Sequence, residues 1–97
     1  MVRKIVWTIK AKSRYKEVID YLIIEWGDTT ALRFSKIVDR KLYLLARFPN
    51  LGISSAKKIG LRSFLLTKHN RLVYSVHKNE IRLHEIYDTR QERKKLL

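Results

Sequence analysis

The sequence predicts an α+β domain in which an antiparallel helical hairpin packs on one face of a mostly antiparallel sheet, in the order β-α-α-β-β-β. Three observations carry that expectation. From Gly60 to Asp88, three runs alternate β-branched and aromatic residues with polar ones, and the breaks between them, His69-Asn70 and either Asn79-Glu80 or Lys78-Asn79, are short. Upstream, two long segments repeat apolar residues at helical spacing and are divided only by Gly27 and its neighbours. At the N-terminus, Ile5, Trp7 and Ile9 alternate with Lys4, Val6, Thr8 and Lys10, as in a strand.

Taken in order, the first strand covers Arg3 to Lys10 and joins the sheet. A first helix starts near Ser13, read as its N-cap, and ends at Trp26, where Gly27 stops it. Tyr15, Val18, Ile19, Leu22 and Trp26 form one stripe on it, and Ile23 and Ile24 widen the apolar surface beyond one packing face. Asp28, Thr29 and Thr30 offer caps for a second helix, whose apolar positions Ala31, Phe34, Ile37, Val38, Leu42, Leu44, Leu45 and Phe48 continue to Pro49. So short a connection permits only an antiparallel hairpin. Ser54 to Lys58 reads as a polar, basic link to the meander, and residues 89–97 as a charged tail of a single domain spanning 1–97.

A two-residue turn at His69-Asn70 would pair Lys68 with Arg71, Leu66 with Val73, Phe64 with Ser75 and Arg62 with His77. One face then carries Leu61, Leu65, Leu72, Tyr74, Val76, Ile81 and Leu83 and needs covering. The other carries Arg62, Lys68, Arg71, His77, Arg82 and His84 around an apolar middle of Phe64, Leu66, Val73 and Ile86. That middle, ringed by cations, fits an acidic and partly hydrophobic peptide.

Composition limits the functions available. At 97 residues with 45% hydrophobic content, the chain is one globular domain. No cysteine is present, which removes disulfides, thiolate nucleophiles and cysteine metal sites. The apolar run from Ile5 to Ile9 is too short for a signal-peptide core and no stretch approaches a membrane span, so a cytoplasmic protein with no membrane partner is expected. Lys and Arg number 22 against 9 acidic residues, a net charge of +13 that draws polyanions: nucleic acid, an anionic membrane surface or an acidic protein.

Catalytic signatures are sparse. There is no phosphate loop, dinucleotide fingerprint, HExxH zinc site or calcium loop, and the spacing of His69, His77 and His84 suggests no metal site, so neither cofactor nor metal is expected. His77 and His84 fall on the basic face, where neighbouring arginines disfavour protonation and an imidazole can serve as a base, although two ordinary surface histidines are the commoner case. Arg62, Arg71, Arg82 and Arg90 suit phosphate binding and stabilisation of developing negative charge. With Phe64 the lone aromatic on that face, base stacking is a weak expectation.

The order of elements, Trp26-Gly27 followed by Ala31, Phe34, Leu45, Phe48-Pro49 and Gly52, then Arg62, Arg71-Leu72-Val73-Tyr74 and the ending Ile86-Tyr87-Asp88-Thr89-Arg90, resembles the RelE/ParE superfamily of toxins from type II toxin–antitoxin (plasmid stabilisation) systems. The resemblance covers nearly the whole chain. It implies a growth inhibitor held inactive in a hetero-oligomer by a small acidic antitoxin from an adjacent gene. RelE-like members are ribosome-dependent mRNA endonucleases, whereas ParE-like members are not and poison DNA gyrase. Arg71 and Arg90 match catalytic arginine positions of the RelE-like enzymes and Arg62 a basic strand position, with His77 and His84 as stand-in acid or base. Against that reading, Phe64 and Leu66 replace basic residues of the RelE-like pattern, and no Tyr or His follows Arg90. The Trp26-Gly27 turn and the Pro49 to Gly52 signature are more like ParE. The balance favours gyrase poisoning, ahead of mRNA cleavage and of a plain nucleic-acid-binding domain. As binding residues the reading assigns Arg62, Phe64, Leu66, Lys68, Arg71, His77, Arg82 and His84 to antitoxin or target.

Overall fold

A computed structural model describes residues 2–90 of the chain. Strand β1 (Lys4–Trp7) leads into helix α1 (Ile9–Trp26), helix α2 (Asp28–Arg47) and a 3-10 turn (Pro49–Leu51), followed by β2 (Ile53–Ser54), β3 (Arg62–Thr67), β4 (Asn70–Val76) and β5 (Glu80–Asp88). The strands form one five-stranded sheet in the order β1-β5-β4-β3-β2. Strand β1 runs parallel to β5, and every other pairing is antiparallel. The expected α+β architecture and element order hold, with two differences: the polar link contains the short strand β2, and β1 ends three residues earlier than its alternation suggests.

That early end has a clear cause. Thr8, not Ser13, is the N-cap of α1: its Oγ1 accepts the N–H of Ala11 at 3.2 Å and donates to the carbonyl of Leu83 at 2.7 Å. One hydroxyl thus caps the helix and holds β1 to β5. The other end of α1 stops at Gly27, whose φ of 93° and ψ of 170° lie in a region open essentially to glycine, and whose N–H reaches the carbonyl of Ile23 at 3.0 Å. The chain reverses there and α2 packs back along α1.

Both helices cover the same face of the sheet. The core joins Ala11 of α1 and Phe34, Val38, Leu42 and Leu45 of α2 to Leu66, Leu72, Tyr74, Ile81, Leu83 and Ile86 of the strands. Trp7, Tyr15 and Phe34 continue it as an aromatic row, with centroids 5.2 and 6.1 Å apart. Of the stripe on α1, Tyr15, Val18, Ile19 and Leu22 pack inward, whereas Trp26 lies 68% exposed. Ile23, Ile24, Leu44 and Phe48 are also exposed, so the wide apolar arcs of the hairpin are not used up by the fold.

The strand faces differ from the expected alternation. Strand β3 pairs Arg62 with Tyr74, Phe64 with Leu72 and Leu65 with Arg71, and then slips by one residue at Leu66. Strand β5 slips likewise: Tyr74 faces Leu83 while Val73 faces Glu85, leaving His84 as the extra residue. Each one-residue bulge reverses the inward and outward parity of what lies beyond it. Leu66 and Ile86, expected on the basic face, are each 2% exposed in the core, and Phe64 packs against them. Leu65, expected inside, stands 41% exposed on the outer face opposite Arg71. The apolar centre expected for the basic face therefore keeps only Val73.

Candidate functional site

The sheet face away from the helices carries Ser63 and Leu65 from β3, Arg71, Val73 and Ser75 from β4, and Arg82, His84, Glu85 and Tyr87 from β5. Beside it the segment from Ile53 to Lys58 folds over to form a groove of about 890 Å³. Lys10, Lys57, Lys58, Arg62 and His84 line the groove with Ile53, Leu61, Val73 and Tyr87, and Glu85 is its one acidic group among the described residues. The groove is cationic with apolar walls.

Ser75 is the hub of a polar cluster on this face. Its Oγ, in a residue 7% exposed, lies 2.8 Å from Nε2 of His77 and 2.7 Å from Nε2 of His84. A single hydroxyl proton satisfies one imidazole nitrogen as acceptor, so the other imidazole donates its own N–H to the oxygen. The bulge in β5 makes this contact by turning His84 toward Ser75. Burial, then the charge of His77 and of Arg82, lowers the His84 pKa below the ordinary histidine value and favours the neutral ring.

The arginines are less convergent. Arg62 turns its guanidinium to the Gly52 carbonyl, 2.8 Å away, and so braces the loop after α2. Arg71 donates to Ser63 Oγ at 3.1 Å, which holds it on the outer face, while its buried Nε has no partner among the described residues. Arg82 pairs with Glu80 at 2.6 Å, and that hydrogen bond, more than any other influence, holds the Glu80 carboxyl below its usual range. Arg90 grips both carboxylate oxygens of Asp88, at 3.0 and 2.7 Å, and likewise depresses the Asp88 pKa. It lines a separate cleft of about 540 Å³, walled by Tyr21 and Trp26 of α1 and by Asp88.

The structure therefore brings His77 and His84 together, keeps Arg71 and Arg82 on their face, and leaves Lys68 exposed at the β3–β4 turn. Phe64 and Leu66 point to the helices; Phe64 meets Tyr74 edge to face at 5.8 Å, under the Lys41 ammonium. Arg62 and Arg90 stand at the margins. Ser75, the groove lysines Lys10, Lys57 and Lys58, and Thr8 did not emerge from sequence reasoning as site residues. The basic pair Lys57-Lys58 was the legible sign; nothing local marks Ser75.

Two helices on one face of a mixed sheet, in this order, is the arrangement of solved bacterial toxin structures. The chain aligns with the chromosomal ParDE toxin–antitoxin system from P. aeruginosa at a TM-score of 0.75 and 20% identity, covering 90% of this chain and 96% of that one. It also aligns with the YoeB dimer from Staphylococcus aureus at a TM-score of 0.64 and 20% identity, covering 90% and 97% of the two chains. A YoeB/ParE toxin from Agrobacterium tumefaciens aligns at a TM-score of 0.62 and 17% identity, covering 88% of this chain and 96% of that chain. No curated protein sequence matches the chain. The family model for the ParE toxin of the type II toxin–antitoxin system parDE matches residues 5–93, and the chain belongs to that family. Such a toxin is one half of a pair, and its partner is an antitoxin. Among the described residues, no helix is long and apolar enough to cross a membrane.

Proposed function

We propose that this toxin inhibits growth in the cytoplasm by poisoning DNA gyrase, and that a small acidic antitoxin from an adjacent gene restrains it within a hetero-oligomer. The observation that carries the choice of target is the arrangement of Arg62, Arg71 and Arg90. An mRNA endonuclease needs cations converging on the scissile phosphate beside a base for the 2′-hydroxyl. Here Arg62 serves the Gly52 carbonyl, Arg71 is tied to Ser63, and Arg90 is neutralised by Asp88 in another cleft. The cationic groove with its apolar walls suits an acidic, partly hydrophobic antitoxin segment, and the excess of thirteen positive charges favours any acidic partner.

One observation favours the alternative, a ribosome-dependent mRNA endonuclease. His84 is biased toward the neutral ring on the face that also holds Arg71, a pairing able to take up a proton and steady an anion. Two assays on purified toxin separate the readings. Supercoiled DNA with gyrase and ATP should accumulate cleaved complexes. Translating ribosomes should leave mRNA intact; cutting that disappears in Arg71→Ala and His84→Gln would replace the gyrase reading with the endonuclease.

A further inference from the structure

His77 and His84 are seven residues apart, a spacing with no metal-site signature, yet the β5 bulge at His84 and the chain leaving β4 at His77 bring both Nε2 atoms within 2.8 Å of one oxygen. We propose that His77 and His84, with Ser75 between them, form a binding site for one divalent transition-metal ion of the Cu²⁺, Ni²⁺ and Zn²⁺ group. The inference is independent of the toxin's target.

Two features carry it. The two imidazoles come from adjacent elements, His84 within β5 and His77 just past the end of β4, and both Nε2 atoms reach the same hydroxyl. An ion bonded to both nitrogens at about 2.0–2.1 Å needs that convergence, and small ring rotations replace the hydrogen bonds to Ser75 with bonds to the metal. Both strands are pinned locally: the His77 N–H bonds the Glu80 carbonyl at 2.8 Å, Arg3 Nε bonds the His77 carbonyl at 3.0 Å, and Thr8 holds the Leu83 carbonyl. His84 is therefore preorganised within the sheet, and His77 is held at the start of the β4–β5 connection through its own N–H and carbonyl.

The donor set also selects the ion. Two imidazole nitrogens and a hydroxyl oxygen suit borderline divalent ions and are poor ligands for Ca²⁺ or Mg²⁺. With two strong ligands the remaining positions are left to water, so the site is open and not a closed structural centre. Affinity should follow the order in which Cu²⁺ exceeds both Ni²⁺ and Zn²⁺. Arg82 and the overall positive field oppose any cation and hold affinity below that of a three-ligand site.

Calorimetric titration of the full chain with CuCl₂, NiCl₂ or ZnCl₂ at pH 7.5 should give one ion per chain. His77→Gln and His84→Gln should each weaken binding by at least about tenfold, while His69→Gln should leave it unchanged. Amide spectra of the unaltered chain provide a second measurement that needs no variant: substoichiometric Cu²⁺ should broaden Ser75, His77 and His84 first, and acidification to pH 5 should abolish the effect. Absence of one-to-one binding, persistence of full affinity in both glutamine variants, or broadening centred elsewhere would overturn the site.

Discussion

The hydroxyl of Tyr74 accepts the backbone N–H of Gly52 at 2.8 Å, and the same hydroxyl donates to the Pro49 carbonyl at 2.7 Å. Tyr74 is fully buried in the middle of β4, so this contact anchors the turn after α2 onto the sheet and places β2 at its edge. Burial raises the Tyr74 pKa, opposed by the Gly52 hydrogen bond, and the group stays a neutral donor. Tyr74→Phe leaves two backbone groups without this partner and should cost about 1–3 kcal/mol. Gly52→Ala should also destabilise, because a Cβ there would lie 2.7 Å from both the Tyr74 hydroxyl and the Ser63 carbonyl. Thermal melting checks both: unchanged midpoints would mean that the anchor contributes nothing.

Leu65 and Leu66 are adjacent and chemically identical, yet only Leu66 is in the core. Leu66→Ala should lose about 2–5 kcal/mol, whereas Leu65→Ala should stay within about 0.5 kcal/mol of the parent. Urea denaturation of the two variants reads the facing of β3 directly, and the reverse ranking would restore the unbulged register.

Thr8 and Ser13 are alternative starts for α1. Thr8→Ala removes the cap on Ala11 and the bond to Leu83, and should cost about 0.5–2 kcal/mol or somewhat more. Ser13→Ala lies on an exposed turn inside the helix and should be neutral or slightly stabilising, since alanine is the better helix former. Equal losses in the two variants would place the helix start elsewhere.

His84 sets a pH dependence. Its folded pKa lies below the unfolded value near 6.5, so the unfolded chain takes up a proton first as pH falls. Stability from the neutral ring is complete above about pH 6.5 and declines as pH drops through the window between the unfolded and folded values. Melting temperatures measured from pH 7.5 to 5 should fall more steeply for the parent chain than for His84→Gln. Parallel curves would show that the Ser75 cluster is indifferent to its protonation.

The helical hairpin was legible because its signals are local. Apolar residues at helical spacing need only a few neighbours to be read, and Gly27 ends a helix by its own backbone freedom. The faces of β3 were not legible, since Phe64, Leu65 and Leu66 run consecutively and satisfy either parity. Nothing in such a run says which two point inward. The cap of α1 was obscured for a related reason: Ser13 carries the usual local signature, while Thr8 is selected by a carbonyl 75 residues away.

What the amino-acid sequence by itself determined was the element order, the excess of positive charge and the toxin family, all properties of near neighbours or of composition. Tertiary structure alone decided which side chains share a surface. Two one-residue bulges moved Leu66 and Ile86 into the core, exposed Leu65 and brought His84 to Ser75 and His77. A bulge is favoured by the packing of the whole sheet against the helices, an energy summed over residues distant in the chain, and so leaves little trace in any short stretch of it.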